Sequence, residues 1–235
     1  MLQVADIKKS YGRHRVLDGI TFTAEPGSCV GIVGSNGCGK TTLLSILAGA
    51  AAADGGSIRF RGQEAMGHPS VFTQFAAYVP QENPLIEELT VKDNLALWYR
   101  GSKKALQEEL QYGYAAMLGI PQMLKKPVSS LSGGMKKRLS IACALANHAG
   151  ILIMDEPGAA LDLECKADIR RYLKDFMKAG GTVILTSHEL PELTLCTELY
   201  LLRDGKLTEI DSEIGEEPLI RLFHEKTEDI SAEVQ

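Results

Sequence analysis

The sequence has no long apolar run, no excess of positive charge and no segment typical of a secreted protein. No apolar stretch in the 235 residues approaches the roughly 18 needed to cross a bilayer, so any membrane span has to come from another chain. The start, Met1–Asp6, lacks the basic residues and apolar core of a signal peptide, and we expect none. The net charge of −5 argues against a basic nucleic-acid-binding protein.

The cysteines are few and scattered, and none of them forms a C-x-x-C pair. This distribution favours free thiols in a reducing compartment over a disulfide framework or a zinc site. The chain also has no internal repeat and no low-complexity segment, and its length is sufficient to bury a full core.

A glycine-rich segment, residues 34–42, carries the first chemical signal. It lies between an apolar run, residues 28–33, and a segment in which leucine and isoleucine recur at helical spacing. The order strand, loop, helix is the context in which a G-x-x-x-x-G-K-[ST] motif binds phosphate through backbone N–H groups and a helix N-terminus. Lys40 adds a cation for the outer phosphates, and the Thr41 hydroxyl is suited to hold Mg²⁺. The segment predicts a site for a nucleoside triphosphate with magnesium.

Two carboxylates follow a second apolar run, residues 151–154. With a phosphate loop upstream, Asp155 is predicted to bind Mg²⁺, directly or through water, and Glu156 to polarise the attacking water. The segment Leu131–Met135 adds another anion site, because Ser132 is a good N-cap and the two glycines after it leave backbone amides accessible.

The order of elements predicts an α/β fold with a helical insert. Strand patterns occupy residues 2–8, 16–22, 28–33, 57–62, 75–79, 150–154, 182–186, 198–203 and 206–210, whereas helical patterns dominate residues 91–99, 103–118 and 135–146. A helix is also predicted at 163–179. We expect a β-rich core from residues 1–83 and 147–215, a helical subdomain from 84–146, and a C-terminal tail, 216–235, with an amphipathic helix and a loose end.

The motifs occur in the order phosphate loop, Gln81, Leu131-Ser132-Gly133-Gly134, Asp155-Glu156 and His188. In this order they resemble the nucleotide-binding subunit of ABC transporters over residues 2 to about 210. The resemblance implies a P-loop NTPase fold with a mixed central sheet, an N-terminal antiparallel β subdomain and an inserted α-helical subdomain. It also implies an ATPase that uses ATP and Mg²⁺ to power a separate permease.

The resemblance assigns roles to individual residues. Tyr11, in the turn between the first two strands, corresponds to the aromatic residue that stacks on adenine, with Val16 beneath it. Gln81 corresponds to the glutamine that touches Mg²⁺ and the attacking water, and His188 to the histidine that holds the γ-phosphate. The remaining ATP contacts are assigned to Ser35, Asn36, Gly37, Cys38, Gly39, Lys40, Thr41 and Thr42, the metal contacts to Thr41, Gln81 and Asp155, and the catalytic roles to Glu156, His188 and Gln81.

The same resemblance implies a dimer, since each ATP site needs Ser132, Gly133 and Gly134 from a second nucleotide-binding subunit. Residues 160–162 correspond to the segment that crosses the dimer interface. The implied partners are this second subunit and an integral membrane permease, without nucleic acid. The implied location is cytoplasmic, peripheral at the cytoplasmic face of the cell membrane.

Two departures from the family pattern and one alternative remain. Met135 replaces a common glutamine; with the basic residues after it, it resembles exporter-type members and favours export. Ala159 replaces a common serine and removes one possible hydrogen bond across the dimer. A soluble ABC ATPase, such as an iron–sulfur assembly protein, stays open as the alternative. A DNA-repair type is disfavoured because only about 90 residues separate the phosphate loop from Ser132, and a GTPase because no N-K-x-D motif occurs.

Overall fold

A computed structural model describes residues 1–99 and 103–224. Its strands are β1 (Leu2–Tyr11), β2 (His14–Ala24), β3 (Cys29–Val33), β4 (Gly55–Phe60), β5 (Gln63–Glu64), β6 (Ala76–Val79), β7 (Ile151–Asp155), β8 (Thr182–Thr186), β9 (Glu198–Arg203) and β10 (Lys206–Ile210). Its helices are α1 (Lys40–Leu47), α2 (Pro69–Phe75), α3 (Val91–Trp98), α4 (Lys103–Tyr112), α5 (Tyr114–Met117), α6 (Gly133–Ala144), α7 (Leu163–Lys178), α8 (Leu190–Leu193) and α9 (Glu216–His224). Short 3₁₀ turns lie at Ile120–Met123 and Val128–Ser130.

The strands form two sheets. The first is antiparallel, with the order β2-β1-β4-β5. The second has the order β10-β9-β3-β8-β7-β6, in which β10 is antiparallel to β9 and the other neighbours are parallel. This arrangement confirms the predicted mixed central sheet and the N-terminal antiparallel sheet.

The central strands are apolar on both faces because both faces are covered. Side chains alternate along β7 and β8, so Ile153 and Ile184 pack with α1 and the antiparallel sheet. Their neighbours Leu152 and Leu185 pack with α6, α7 and the helical elements between residues 91 and 144. The mixed sheet is therefore the layer on which both halves of the core rest.

The predicted helix at residues 103–118 is broken at Gly113, where the backbone is extended (φ −91°, ψ −165°). The cause is tertiary: the buried carboxylate of Glu109 accepts the Ala115 N–H at 3.0 Å and occupies the space next to Gly113. Helix α2 was not predicted. It begins with a proline and places Phe75 against Phe60, with ring centroids 5.9 Å apart.

The end of the described chain is the amphipathic helix α9, whose Leu219 is 3% exposed and packs into the core. The predicted loose end, residues 225–235, lies outside the described residues. All five cysteines are free thiols. Within the described ranges, no helix combines the length and the hydrophobicity that a bilayer crossing requires.

Candidate functional site

The predicted site residues meet at the carboxyl ends of four neighbouring parallel strands, in the order β3, β8, β7, β6. The phosphate loop follows β3, His188 lies two residues after β8, Glu156 follows β7, and Gln81 lies two residues after β6. Ligands of open α/β sheets bind at this edge. Four segments that are distant in sequence thus line one site because of the strand order.

The phosphate loop is held in a closed turn by Lys40. Its Nζ donates to the backbone oxygens of Gly34 at 2.7 Å and Ser35 at 3.1 Å, and the residue is 7% exposed. Gly39, the N-cap of α1, has φ +111°, and a Cβ there would lie 2.8 Å from Cγ1 of Val16. Glycine is required at this position because an L side chain would be both strained and obstructed. The same contact places Val16 beside the loop, whereas its predicted place beneath Tyr11, as an ATP contact, stays a prediction.

A network of hydroxyl groups fixes the carboxylate of Asp155. Thr41 Oγ1 donates to Oδ2 at 2.7 Å, and Thr186 Oγ1 donates to Oδ1 at 2.6 Å. Asp155 is 3% exposed and lies opposite Thr186 in the β7–β8 pairing. The adjacent oxygens of Thr41 and Asp155 fit Mg²⁺, a hard cation that takes one or two protein oxygens and fills its other positions with phosphate and water.

Glu156 lies between the two other predicted catalytic residues. Gln81 Nε2 donates to its Oε2 at 3.1 Å, and His188 Nε2 lies 3.3 Å from its Oε1. The Glu156 backbone is left-handed, with φ +46°, and its N–H donates to Oγ1 of Thr186 at 3.1 Å. A strained backbone anchored in this way aims the carboxylate away from the strand, toward the site.

The second predicted anion site lies at the N-terminus of α6. Ser132 caps the helix and accepts the Met135 N–H at 3.3 Å. A Cβ on Gly134 would collide with Sγ of Cys165, whereas a Cβ on Gly133 would be in ordinary contact with Leu161 at 3.6 Å. Gly134 is therefore needed for packing against α7, and Gly133 leaves the helix N-terminus uncovered on its own side.

Comparison with known sequences gives the family. Residues 17–159 match the profile described as "ABC transporter". The chain belongs to the ABC transporter family. A relative named Nod factor export ATP-binding protein I, from Ralstonia nicotianae, is 34% identical over 209 residues, which cover 88% of this chain and 65% of that protein. Linearmycin resistance ATP-binding protein LnrL, from Bacillus subtilis, is 33% identical over 94% of this chain and 74% of its own length.

The fold of this ABC protein agrees with solved cassettes. One, described as the dimeric structure of a post-hydrolysis state of an ATP-binding cassette bound to ADP and Pi, superimposes with a TM-score of 0.80 at 24% identity. It covers 92% of this chain and the whole of that chain. The predicted P-loop NTPase fold is thereby confirmed. The predicted ATPase class is confirmed by the family and its ATP-binding relatives. The chain spans only about two thirds of the first relative's length, so that protein's substrate and partners do not transfer with the family.

Two predicted nucleotide contacts of the ABC ATPase, Tyr11 and Cys38, have features that the sequence did not predict. Tyr11 is the last residue of β1 and pairs with His14, so it does not lie in the turn; its ring is 55% exposed, with Lys9 Nζ 5.3 Å from the centroid. Burial raises the pKa of the Cys38 thiol, although Lys40 opposes the shift. Both side chains remain predicted nucleotide contacts.

Three residues at the site of this ABC ATPase were missed by sequence reasoning. Thr186 orders both Asp155 and Glu156, as described above. Glu192 is 2% exposed and accepts from Ser187 Oγ at 2.6 Å, while Lys137 is 2% exposed and donates to the Pro80 and Gln81 oxygens. The burial of Lys137 could have been predicted from its spacing in the sequence. It lies three residues after Gly134 and four before Ile141, which places it on the buried face of α6.

Proposed function

We propose that this ABC ATPase hydrolyses ATP at the interface of two copies and that the cycle drives a separate membrane permease, in the direction of export. The main support for the proposed hydrolysis is that Gln81 and His188 contact different oxygens of the Glu156 carboxylate, beside the Thr41–Asp155 pair. This arrangement supplies a base, its orienting partners and a metal-binding edge within one cleft.

Glu156 acts as the base toward the attacking water. Its side chain is 23% exposed, so water reaches it, and the amide of Gln81 holds one carboxylate oxygen while His188 lies beside the other. As the water oxygen forms a bond to the γ-phosphorus, the bond between that phosphorus and the bridging oxygen of ADP breaks and ADP leaves. Glu156 takes up a proton of the water, and His188 holds the γ-phosphate oxygens. Lys40 stabilises the charge of the outer phosphates once its bonds to Gly34 and Ser35 exchange for phosphate oxygens.

Mg²⁺, when bound by Thr41 and Asp155 with Gln81 nearby, would neutralise part of the phosphate charge. The support for this metal is the oxygen chemistry of the pair and the two hydroxyl donors that keep the Asp155 carboxylate in place.

The dimer is inferred from the distribution of anion-binding groups. The chain has one phosphate loop and one capped glycine pair, Gly133-Gly134, whose nearest side-chain neighbours come from residues 161–165. A γ-phosphate bound by the phosphate loop of one copy and by Ser132–Gly134 of the other would hold the dimer closed, and its loss on hydrolysis would let the dimer open. A solved cassette with the same fold is described as dimeric, which is consistent with this.

The permease is inferred from a groove next to Gln81. Between β6, the end of α3 and the end of α6 lies a cleft of about 530 Å³, lined by Tyr78, Pro80, Leu97, Trp98 and Ala144 among others. Leu97 and Trp98 are 61% and 44% exposed, although both are large apolar side chains. Exposed apolar residues around a cleft indicate a contact surface. A partner that binds here next to Pro80 would be affected by a change in the position of the adjacent Gln81.

Export and a location at the cytoplasmic face of the membrane complete the proposal. They are supported by the names of two relatives, one an export protein and one a resistance protein, and by Met135 followed by basic residues. A soluble ABC ATPase without a permease is the alternative, and the uncovered groove favours the transporter.

The deciding experiment is co-purification from membranes with any permease that an adjacent gene encodes. We expect the wild-type protein to co-purify, Leu97→Asp to lose at least about 90% of the bound fraction, and Ile220→Asp, an exposed apolar residue of α9, to behave as wild type. ATPase activity of the purified subunit should be unaffected by either change. Wild-type protein that stays in the soluble fraction when the permease is present would support the soluble alternative.

A further inference from the structure

Lys137 is a lysine almost completely buried in the helix that carries the predicted signature segment. It is the fifth residue of α6, which begins at Gly133, and it is 2% exposed. Its neighbour Lys136 is at the surface, where Nζ pairs with Glu87. Burying an ammonium group is costly unless its donors find partners, so the contacts of Lys137 indicate why a cation occupies this position.

The partners of Lys137 are backbone oxygens at the end of β6. Nζ donates to the Pro80 carbonyl at 3.2 Å and to the Gln81 carbonyl at 3.1 Å. These residues immediately follow Val79, the last residue of β6. One side chain of α6 therefore binds the backbone of the segment from which the Gln81 side chain extends.

The Lys137 amine lies near acidic side chains at the end of the sheet where the catalytic residues meet. Burial lowers the pKa of Lys137, and the negative charges of Asp155 and Glu192 oppose that shift. The ammonium group thus lies within the field of Asp155, next to the cleft in which Gln81 and Glu156 meet.

We propose that Lys137 is a positioning residue for Gln81. By binding the Gln81 carbonyl, it sets the direction in which the side-chain amide leaves the backbone, and that amide donates to Glu156 at 3.1 Å. The inference rests on the proposed catalytic role of Gln81. Lys137 would also connect the two ATP sites of the proposed dimer. Helix α6 begins at the segment that faces the partner's nucleotide, so a movement of α6 would shift the backbone of Gln81 through its bond to Lys137.

The test is a double-mutant cycle, because a purely structural role would lower activity whether or not Gln81 is present. We expect Lys137→Met to reduce kcat about tenfold, the loss of one charge-assisted hydrogen bond, with Kd for ATP within about twofold of wild type. Lys136→Met is the matched control on the same helix and should change kcat by less than about twofold. In a Gln81→Ala background, Lys137→Met should cause no further loss, since its effect passes through Gln81.

The outcomes separate this inference from the proposed function. If Lys137→Met keeps full kcat, or lowers it equally in the wild-type and Gln81→Ala backgrounds, the positioning role is wrong while the role of Gln81 stands. If Gln81→Ala itself is fully active, the proposed role of Gln81 fails and the inference fails with it. Circular dichroism and thermal melting establish that each variant is folded. Should Lys137→Met not fold, Lys137→Gln, whose shorter side chain still carries an amide donor, replaces it in the cycle and is expected to lose less of kcat.

Discussion

The side-chain amide of Gln81 donates to Oε2 of Glu156 at 3.1 Å across 75 residues of sequence. The two residues follow β6 and β7, which are adjacent parallel strands with Val79 opposite Met154. His188 approaches the other oxygen of the same carboxylate at 3.3 Å. Both carboxylate oxygens of Glu156 are therefore held by neighbouring side chains, and the effects of changing this residue should be confined to the chemical step.

The first prediction concerns Glu156→Gln. Because the change removes the base but keeps the shape of the side chain, turnover should fall at least about 10²-fold while ATP binding stays intact. Phosphate release measures the former, and equilibrium binding of a fluorescent ATP analogue measures the latter. Glu108→Gln, at an exposed position of α4 paired with Lys104, is the matched control. Wild-type turnover in Glu156→Gln would contradict the assignment of the base.

The second prediction contrasts the two glycines of α6. Gly133→Ala should fold normally, because its new Cβ meets Leu161 at an ordinary 3.6 Å. It should weaken the ATP-dependent dimer about tenfold, because a methyl group is added on the face proposed to meet the partner's phosphate.

Gly134→Ala should behave differently, since its Cβ would collide with Cys165. We expect it to lower the free energy of unfolding by about 1–3 kcal/mol. Urea denaturation and sedimentation with ATP, both in the Glu156→Gln background, separate the two effects. Equal stability losses in the two variants would show that the packing against Cys165 is not the reason for Gly134.

Much of the site was predictable because its parts are local patterns. A phosphate loop is recognisable from its glycines, Lys40 and the flanking strand and helix, and strand β7 from its unbroken apolar residues before two carboxylates. In such segments the local sequence determines the local conformation, so tertiary contacts do not change it.

What could not be predicted depends on packing between distant segments. The break at Gly113 is caused by the Glu109 carboxylate, and the contact of Gln81 with Glu156 requires the strand order β7-β6. Lys137 was missed because a lysine is ordinarily a surface residue; only the fold shows the two carbonyls that make its burial possible.

The third prediction concerns the metal. Thr41→Val keeps the size of the side chain but removes the hydroxyl that donates to Asp155 at 2.7 Å. The Mg²⁺ concentration for half-maximal ATPase activity should rise about tenfold or more. Titration of Mg²⁺ at saturating ATP measures this, with Ser45→Ala, another hydroxyl of α1, which contacts the Tyr78 hydroxyl, as control. An unchanged Mg²⁺ requirement would show that the Thr41 oxygen is not a ligand.

The fourth prediction concerns stability and pH. Burial raises the pKa of Glu192, and the hydrogen bond from Ser187 partly opposes the shift. A carboxyl group whose pKa is raised in the folded state binds its proton more tightly there than in the unfolded chain. Its contribution to stability is therefore present at low pH and is lost as the pH rises from the ordinary glutamate pKa of 4.5 through the raised value.

Glu192→Gln removes this dependence, because the amide oxygen still accepts from Ser187 but cannot lose a proton. The free energy of unfolding of the variant minus that of the wild type should thus increase as the pH rises above the ordinary glutamate pKa of 4.5. Urea denaturation across this range measures the difference, and Glu108→Gln should show no such trend. A difference that decreases would mean that Glu192 is stabilised as the carboxylate by the positive charges around it, Lys166 and Arg170 among them, and a flat difference would mean that these charges cancel the effect of burial. Either result would contradict the prediction.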